Sequence, residues 1–291
     1  MDINYELYKV FYHVANTLSF SEASKQLFIS QSAVSQSIKV LEKKLNQPLF
    51  IRSTKRVQLT PEGEILLKHI EPAMNLIRQG ENQLLEANTL NGGQLRIGAS
   101  DTICRYYLVS YLKDFHRRYP NVHIKVTNQT SIACAKLLES GQVDFAITNY
   151  PNSGLSNTQN VRIIREFKDV FVANDEYKEL KGKTVSLKDL KQFPILMLDR
   201  KSTTSEFLHS MFQRHQLDLV PEIELSSNDL LIDLARIGLG VAFVPDYCIP
   251  ENERSLFKVQ IKEELPIRQI VVASNDSLPI SQAAKQFMEM L

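Results

Sequence analysis

The chain has 291 residues, of which 43% are hydrophobic and 23% charged, with a formal net charge of +1. These values are typical of a soluble globular protein with two or three compact units. No run approaches the roughly 18 apolar residues that span a bilayer, and the start MDINYELYK does not resemble a signal peptide, so we expect a cytoplasmic protein.

The net charge hides an asymmetry along the chain. Residues 1–60 contain eight Lys or Arg and four Asp or Glu, a net charge of +4, whereas residues 61–90 contain two and five, a net charge of −3. A local excess of positive charge at the N-terminus is the electrostatic footprint of a DNA-binding module. Because this excess is modest, we expect DNA to be bound by a dimer.

The cysteines and histidines do not indicate a metal site. Cys104, Cys134 and Cys248 are widely separated and form no CxxC motif, which favours buried thiols over disulfides. A thiol redox sensor is the alternative. The six histidines show no ligand spacing, so we predict neither a metal nor a cofactor.

Residues 4–16 are predicted to form a first helix, followed by two helices between Ser19 and Leu45. Ser19 and Glu22 predict a capping box at the start of the second helix, which would end at Phe28-Ile29-Ser30. The third helix begins near Gln31. Its apolar stripe consists of Val34, Ile38, Leu41 and Leu45.

The opposite face of the third helix is polar. It consists of Gln31, Ser32, Ser35, Gln36, Lys39 and Lys43. Amides and hydroxyls near a helix N-terminus can bind base edges in a DNA major groove, and lysines farther along can bind phosphates. The alternative interpretation is the solvated face of an ordinary helical hairpin.

The segment FIRSTKRVQLTPEG, from Phe50 to Gly63, predicts a basic hairpin that leads into another helix. Thr60 would be the N-cap of that helix, and Pro61 its first residue, where a missing amide costs nothing. The basic side chains that such a wing would place on the phosphate backbone are Arg52, Lys55 and Arg56.

This order of elements resembles the LysR-type transcriptional regulators. The matching residues are Phe11, Val14-Ala15, Ser19-Phe20, Ala23, Leu27, Ser30-Gln31, Val34-Ser35, Ile38, Leu41-Glu42, Leu45, Leu49-Phe50, Arg52 and Leu59-Thr60-Pro61-Glu62-Gly63. Ser24 departs from a common alanine, and Gln36 stands where many members have arginine. The resemblance implies a winged helix-turn-helix in residues 1–60, a linker helix in 61–90 and two α/β subdomains, similar to periplasmic binding proteins, in 91–291.

Residues 61–90 predict a long helix with an apolar seam. Its members recur at intervals of seven and are Leu66, Ala73, Gly80 and Ala87, together with Ile70, Ile77 and Leu84. Pro72 should bend this helix. The seam predicts pairing with a second copy, which the resemblance also implies, although packing on its own domain is the alternative. Asn91-Gly92-Gly93 is predicted to be a hinge.

From Gln94 onward, predicted strands alternate with helices, which indicates parallel sheets covered by helices. We expect lobe one to comprise about 91–162 and 267–291, and lobe two about 163–266. The segments RIGAS, FHRRYPNV, LLESGQVDFAI and GLGVAFVP resemble the effector-binding part of the same family.

Ligands of open α/β sheets bind beyond the carboxyl ends of the strands, where helices begin. The residues at these positions that we expect to bind an effector are Ser100, Thr102, Thr130, Ser131, Asn149, Thr203 and Pro245. Hydroxyls and free amides at converging helix starts favour a small carboxylate or oxyanion. Arg105 and Arg200 could supply counter-charges. The alternative is ordinary N-capping by Ser and Thr.

The leading hypothesis is therefore a sequence-specific regulator that binds double-stranded DNA with paired half-sites and responds to a small effector. It would act as a homodimer through the linker helix, or as a homotetramer. A constitutive regulator with a vestigial cleft is the runner-up. An enzyme is disfavoured because the chain contains no GxGxxG, P-loop, GxSxG or HExxH motif.

Overall fold

The computed structural model describes residues 3–52, 56–87, 93–156, 159–275 and 278–291. The chain divides into two compact units, residues 1–88 with 140–142 and residues 89–139 with 143–291. Within the described residues, no helix is long and apolar enough to cross a membrane.

The first unit is built from helices and one hairpin. In chain order its elements are α1 (Tyr5–Thr17), α2 (Phe20–Leu27), α3 (Gln31–Leu45), β1 (Phe50–Arg52), β2 (Val57–Leu59) and α4 (Pro61–Ala87). The two strands are antiparallel. The predicted winged helix-turn-helix and the long helix that follows it are thus confirmed.

Local capping explains where the helices of this unit begin. The Ser19 hydroxyl accepts the amide of Glu22, but the Glu22 carboxylate pairs with Lys25 Nζ at 3.4 Å, so only half of the predicted capping box forms. Thr60 Oγ1 accepts the amide of Gly63 at 3.0 Å, which confirms Thr60 as the N-cap of α4.

The predicted seam of α4 divides into two parts. Leu66 and Ile70 pack on the core that α1, α2 and α3 form around Phe11, Val34 and Ile38. Farther along the helix, the side chains of Ile77 and Leu84 are 56% and 71% exposed. The first part of the helix therefore stabilises its own unit, and the second part presents apolar side chains outward.

The second unit begins with lobe one. Its first elements are β3 (Gly93–Ala99), α5 (Asp101–Ile103), a π-helical segment (Cys104–Leu108), α6 (Val109–Arg118), β4 (Val122–Asn128), α7 (Ser131–Glu139), β5 (Phe145–Tyr150) and β6 (Gln159–Phe167). Asn91 and Gly92 of the predicted hinge lie outside the described residues, and Gly93 already belongs to β3. The helical stretch after β3 begins at Asp101, directly after the strand-end residue Ser100.

Lobe two follows. Its elements are β7 (Asp169–Ala173), β8 (Thr184–Val185), α8 (Leu187–Leu190), β9 (Ile195–Leu198), α9 (Thr203–Arg214), β10 (Ile223–Leu225), α10 (Asn228–Arg236), β11 (Val241–Pro245) and β12 (Phe257–Ile261). The chain then returns to lobe one through β13 (Arg268–Asn275) and α11 (Gln282–Met290).

Each lobe has one mixed sheet with an apolar core. The strand order is β4-β3-β5-β13-β6 in lobe one and β10-β9-β11-β7-β12-β8 in lobe two. Strands β3, β4 and β5 are parallel, as are β9, β10 and β11, because a covering helix connects each successive pair. Aromatic rings of Phe115, Phe145 and Phe287 fill the core of lobe one, and those of Phe171, Phe212 and Phe243 fill lobe two.

The boundary between the lobes differs from the predicted one. β6 pairs with β13 along its whole length, from Gln159 opposite Asn275 to Phe167 opposite Arg268. Residues 163–167 therefore belong to lobe one, and the chain crosses to lobe two at Lys168. The mixture of charged and apolar residues in QNVRIIREF does not predict an edge strand, because the partner strand β13 lies more than a hundred residues later in the chain.

Arg268 lies at the point where the chain crosses between the lobes, and it is 1% exposed. Its guanidinium donates to Asp169 Oδ2 at 2.7 Å, to Thr204 Oγ1 at 3.1 Å and to Thr203 Oγ1 at 3.1 Å. It also lies between the rings of Phe167 and Phe207, at 5.3 and 5.0 Å from their centroids. Through these contacts the Arg268 side chain links β13 and β7, the two strands at the crossing between the lobes, to the start of α9.

The carboxylate of Asp169 is completely buried, and burial raises its pKa, an effect that the guanidinium of Arg268 opposes. A buried charge without its partner is expensive, at about 3–5 kcal/mol, whereas replacing both partners by apolar residues is often close to neutral. We therefore expect the free energy of unfolding to fall most when only one member of the pair is removed.

We predict that Arg268→Met lowers the thermal midpoint of the second unit strongly, because it leaves the Asp169 carboxylate buried and unpaired. The double variant Arg268→Met/Asp169→Leu should recover most of that loss. The exposed Arg254 provides a matched control, Arg254→Met. Calorimetry on the full chain measures all three, and a single variant no less stable than the control would contradict the importance of the pair.

Candidate functional site

Helix α3 presents an exposed polar face at its N-terminal end. The Ser30 hydroxyl caps the helix by accepting the amide of Ala33 at 3.2 Å, and it lies 2.9 Å from the Ser32 hydroxyl. Buried Val34, Ile38 and Leu41 anchor the opposite face. Of the residues predicted to bind DNA on this helix, Gln31, Ser32, Gln36 and Lys39 are exposed and Ser35 is half-buried.

The hairpin is attached to α3 through one carboxylate. Glu42 Oε1 accepts the amides of Leu49 at 2.9 Å and Phe50 at 3.3 Å. The Phe50 ring packs on Phe11 and Phe20, with centroids 5.5 and 5.9 Å away. These contacts position the wing relative to α3 by both polar and apolar interactions.

The predicted basic residues of the wing are only partly described. Arg56 is exposed and precedes β2. Arg52 ends β1, but its side chain, like the whole of Lys55, lies outside the described residues. The first unit therefore presents exposed amide groups near the N-terminus of α3 and at least one arginine on the hairpin, which is the chemistry needed to contact bases and phosphates.

A cavity of about 280 Å³ lies between the lobes of the second unit. The N-terminal ends of four helical stretches surround it. The residues that they contribute are Ser100, Asp101, Thr102, Thr130, Ser131, Ser202, Thr203, Thr204, Ser227 and Asn228. Asn149, at the end of β5, also lines the cavity. Free amides of first helical turns attract anions, so the converging helix starts favour a ligand that carries negative charge.

Several predicted hydroxyls in this cavity also act as caps. Ser100 Oγ accepts the amide of Ile103, and Thr130 Oγ1 accepts that of Ala133, both at 3.3 Å. Ser131 Oγ accepts the backbone amide of Asn149 at 3.1 Å. Ser100 and Thr130 are therefore both helix caps and lining residues, and only the first-turn amides that they do not cap could donate to a ligand.

Two asparagines carry buried polar atoms without a hydrogen-bond partner in the described residues. They are Asn149 Oδ1 and Asn228 Oδ1, and their residues are 8% and 4% exposed. Leaving such an atom unpaired costs about 1–3 kcal/mol, so each is a place where a bound hydrogen-bond donor would be stabilised. Both residues line the cavity.

Hydrogen bonds join the two lobes on both sides of the cavity. On one side Asn228 Nδ2 donates to Thr102 Oγ1 at 2.9 Å, and the Tyr106 hydroxyl donates to Asp229 Oδ1 at 2.6 Å. Burial and this hydrogen bond raise the pKa of Tyr106, so its hydroxyl remains the donor. On the other side the Ser153 hydroxyl donates to the Glu206 carboxylate at 2.9 Å. The lobes are thus held together around the cavity.

Three residues that the sequence analysis expected at this site do not line the cavity. Pro245 does not line the cavity, because β11 places it opposite Asp169 at the crossing between the lobes. Arg105 is 63% exposed and pairs with Asp229 at 3.5 Å, and Arg200 also lies outside the lining. Among the described residues, the charged side chains that line the cavity are instead Asp101 and Asp199.

Other lining residues also lie where a strand ends and a helix begins, a position that is recognisable from the sequence, although they were not predicted. Ser226, Ser227 and Asn228 lie between the end of β10 and the first turn of α10, so they occupy the same kind of position as Ser100 and Thr130. Asn128 and Gln129, at the end of β4, were missed in the same way. Arg268 had no comparable signal, because its burial depends on residues far away in the chain.

The thiols do not have the environment of reactive cysteines. Burial raises the pKa of Cys104 to about 11 and that of Cys134 to about 12, and it raises the pKa of Cys248 further. Because the thiolate is the nucleophile, raised pKa values disfavour redox sensing. Within the part of the chain that the structure describes, no group of three or more His, Cys, Asp or Glu could hold a metal ion.

Comparisons with known proteins agree with both units. Residues 5–64 match the model of the bacterial regulatory helix-turn-helix protein, lysR family, and residues 88–291 match that of the LysR substrate binding domain. A "Probable RuBisCO transcriptional regulator" of Trichormus variabilis is 31% identical over 239 residues, which cover 80% of this chain and 71% of that protein.

Two solved structures share the fold. CbnR, a LysR family transcriptional regulator crystallised with its target DNA, has a TM-score of 0.65 at 18% identity and covers 99% of this chain and 98% of its own. The Synechocystis PCC6803 CcmR regulatory domain in complex with 2-PG has a TM-score of 0.62 at 20% identity, covering 68% of this chain and 95% of its own. The chain therefore belongs to the LysR family of helix-turn-helix DNA-binding transcriptional regulators, and its C-terminal unit is the family's substrate-binding domain.

Proposed function

We propose that this regulator reads its operator with the polar face of α3 and responds to a small hydroxylated anion bound between the lobes of its second unit. One observation carries the ligand assignment. Four helical N-termini and two buried, unpartnered asparagine oxygens face a single cavity. Such a cavity offers amide donors for an anionic group and acceptors for hydroxyl groups without a buried cation.

On the DNA side, Gln31, Ser32, Ser35 and Gln36 would contact base edges from the N-terminal half of α3. The cations that would contact phosphates are Lys39, Arg52, Lys55 and Arg56. The exposure of Gln31, Gln36, Lys39 and Arg56 supports these roles. The solved complex of CbnR with its target DNA supports them at the level of the fold. The amides would provide sequence preference, and the cations would provide affinity that depends on salt.

On the ligand side, the cavity volume of about 280 Å³ favours a compact molecule. Asp101 and Asp199 disfavour a highly charged anion, because like charges repel at short range. A carboxylate or oxyanion that also carries hydroxyl groups fits both features. The complex of the CcmR regulatory domain with 2-PG supports a small ligand for a regulatory domain of this fold.

The second part of α4 supports assembly into dimers. Ile77 and Leu84 lie seven residues apart and are both exposed, which is the spacing of a helix-pairing seam. A dimer would bring two copies of α3 to the paired half-sites of an operator, and two dimers could form a tetramer on longer sites.

For the DNA interface, we predict that Gln36→Ala and Ser35→Ala change which duplexes are preferred, because each good base contact discriminates by about 1–3 kcal/mol. Arg56→Ala should weaken binding to all duplexes and lower the salt slope by about one. Gln47→Ala, an exposed glutamine beyond the end of α3, is the matched control. Binding to selected and scrambled duplexes at several salt concentrations measures these effects. Equal losses on both duplexes for Gln36→Ala would rule out base reading by this residue.

For the cavity, we predict that thermal-shift screening with 2-PG, small hydroxycarboxylates and inorganic phosphate finds a stabilising anion. A ligand at a hundred times its Kd adds about 2.7 kcal/mol. Asn149→Ala should abolish this shift without lowering the stability of the free protein, because it removes an unpartnered buried oxygen. Asn252→Ala, an exposed asparagine, should change neither quantity. No shift across the panel would favour the constitutive regulator with a vestigial cleft.

A further inference from the structure

Phe28 connects α2 to α3 in an unusual way. Its side chain is 94% exposed, the highest value among the large apolar side chains that the structure describes. Its backbone is left-handed, with φ +54°. The amide of Phe28 donates to Lys25 O at 3.2 Å, and that of Ile29 donates to Ser24 O at 3.1 Å, which closes the end of α2.

This position normally carries a different kind of residue. Glycine and asparagine are preferred where a helix ends in a left-handed residue, because a bulky side chain is strained there. Phenylalanine is strained in this conformation and gains nothing from burial at this site. Residues that are unfavourable for folding in both respects often have a functional contact.

The position of Phe28 indicates what it contacts. It lies two residues before Ser30, the N-cap of α3, and three before Gln31, the first helical residue of the proposed base-reading face. The N-terminal end of such a helix enters the major groove, where the thymine methyl is the apolar group on a base edge. An exposed aromatic ring three residues before the first exposed amide of α3 would therefore add an apolar contact to the DNA-facing surface.

We infer that Phe28 contacts a thymine methyl in the major groove and thereby adds sequence preference at the edge of each half-site. This inference rests on the proposed DNA-reading role of α3. It makes Phe28 a specificity residue that is retained at the expense of stability. Stability and DNA affinity should consequently change in opposite directions when Phe28 is replaced.

The test uses full-length protein and the duplex that the wild-type protein enriches from a random-sequence library. Thymines are replaced by uracil one at a time, which removes only the methyl group. We expect one uracil substitution per half-site to weaken wild-type binding about fourfold, the effect of one buried methyl group. Phe28→Asn and Phe28→Gly should bind the thymine duplex as weakly as the wild type binds that uracil duplex, and should not respond further to uracil.

Both variants should also raise the thermal midpoint of the first unit, because they relieve the left-handed strain. Leu18→Asn is the matched control, since Leu18 ends α1 with φ +47° and is half-exposed. It should raise the midpoint without changing the response to uracil.

Two outcomes would overturn the inference. In the first, Phe28→Asn keeps the uracil response of the wild type. In the second, it keeps the wild-type affinity and instead loses association with a second copy or another polypeptide. Gln36→Ala, measured on the same duplexes, separates this failure from that of the proposed function. If Gln36→Ala shifts sequence preference while Phe28→Asn does not, only the Phe28 contact is wrong.

Discussion

The second unit depends on one buried guanidinium. Arg268 stands at the return crossing of the chain, its partner Asp169 stands at the outward crossing, and the two threonines it contacts begin α9 and line the cavity. A change in the angle between the lobes would act on these hydrogen bonds, and so would a ligand that moves Thr203 or Thr204. The crossing between the lobes and the cavity consequently share one set of contacts, which is a physical basis for coupling between ligand binding and lobe arrangement.

Buried polar groups occur both in the cavity and at the crossing between the lobes. At the crossing, the carboxylate of Asp169, two hydroxyls and two aromatic rings surround Arg268. In the cavity, the oxygens of Asn149 and Asn228 are buried without a partner. Among the described residues, Asp169 Oδ1 and Arg268 Nε at the crossing also lack a hydrogen-bond partner. The unpaired asparagine oxygens differ in that they line a cavity, where a molecule that supplies the missing hydrogen bonds would gain free energy. The first unit makes a similar compromise at Phe28, where a strained and exposed ring precedes the recognition helix.

Elements that depend on nearby residues could be predicted from the sequence. The N-cap Thr60, the break at Phe28-Ile29-Ser30 and the apolar stripe of α3 are encoded within a few residues of where they act, and all three are present in the structure. The cavity was predictable in outline, because Ser and Thr at strand ends mark helix starts.

Features that depend on residues far apart in the chain could not be predicted from the sequence. The edge strand β6 is defined by β13, and Arg268 is buried by an aspartate 99 residues away. Pro245 also ends a strand, yet the pairing of β11 with β7 places it opposite Asp169 at the crossing between the lobes.

The central claim is that the ligand between the lobes and the operator at α3 influence each other through one protein. It is tested most directly by measuring the Kd of the selected duplex with and without a saturating ligand from the panel, and the Kd of that ligand with and without the duplex, in the same buffer. Linkage requires both Kd values to change by the same factor, which we expect to lie within about 5–150-fold. A ligand whose binding requires Asn149 but leaves the DNA affinity unchanged would contradict the account.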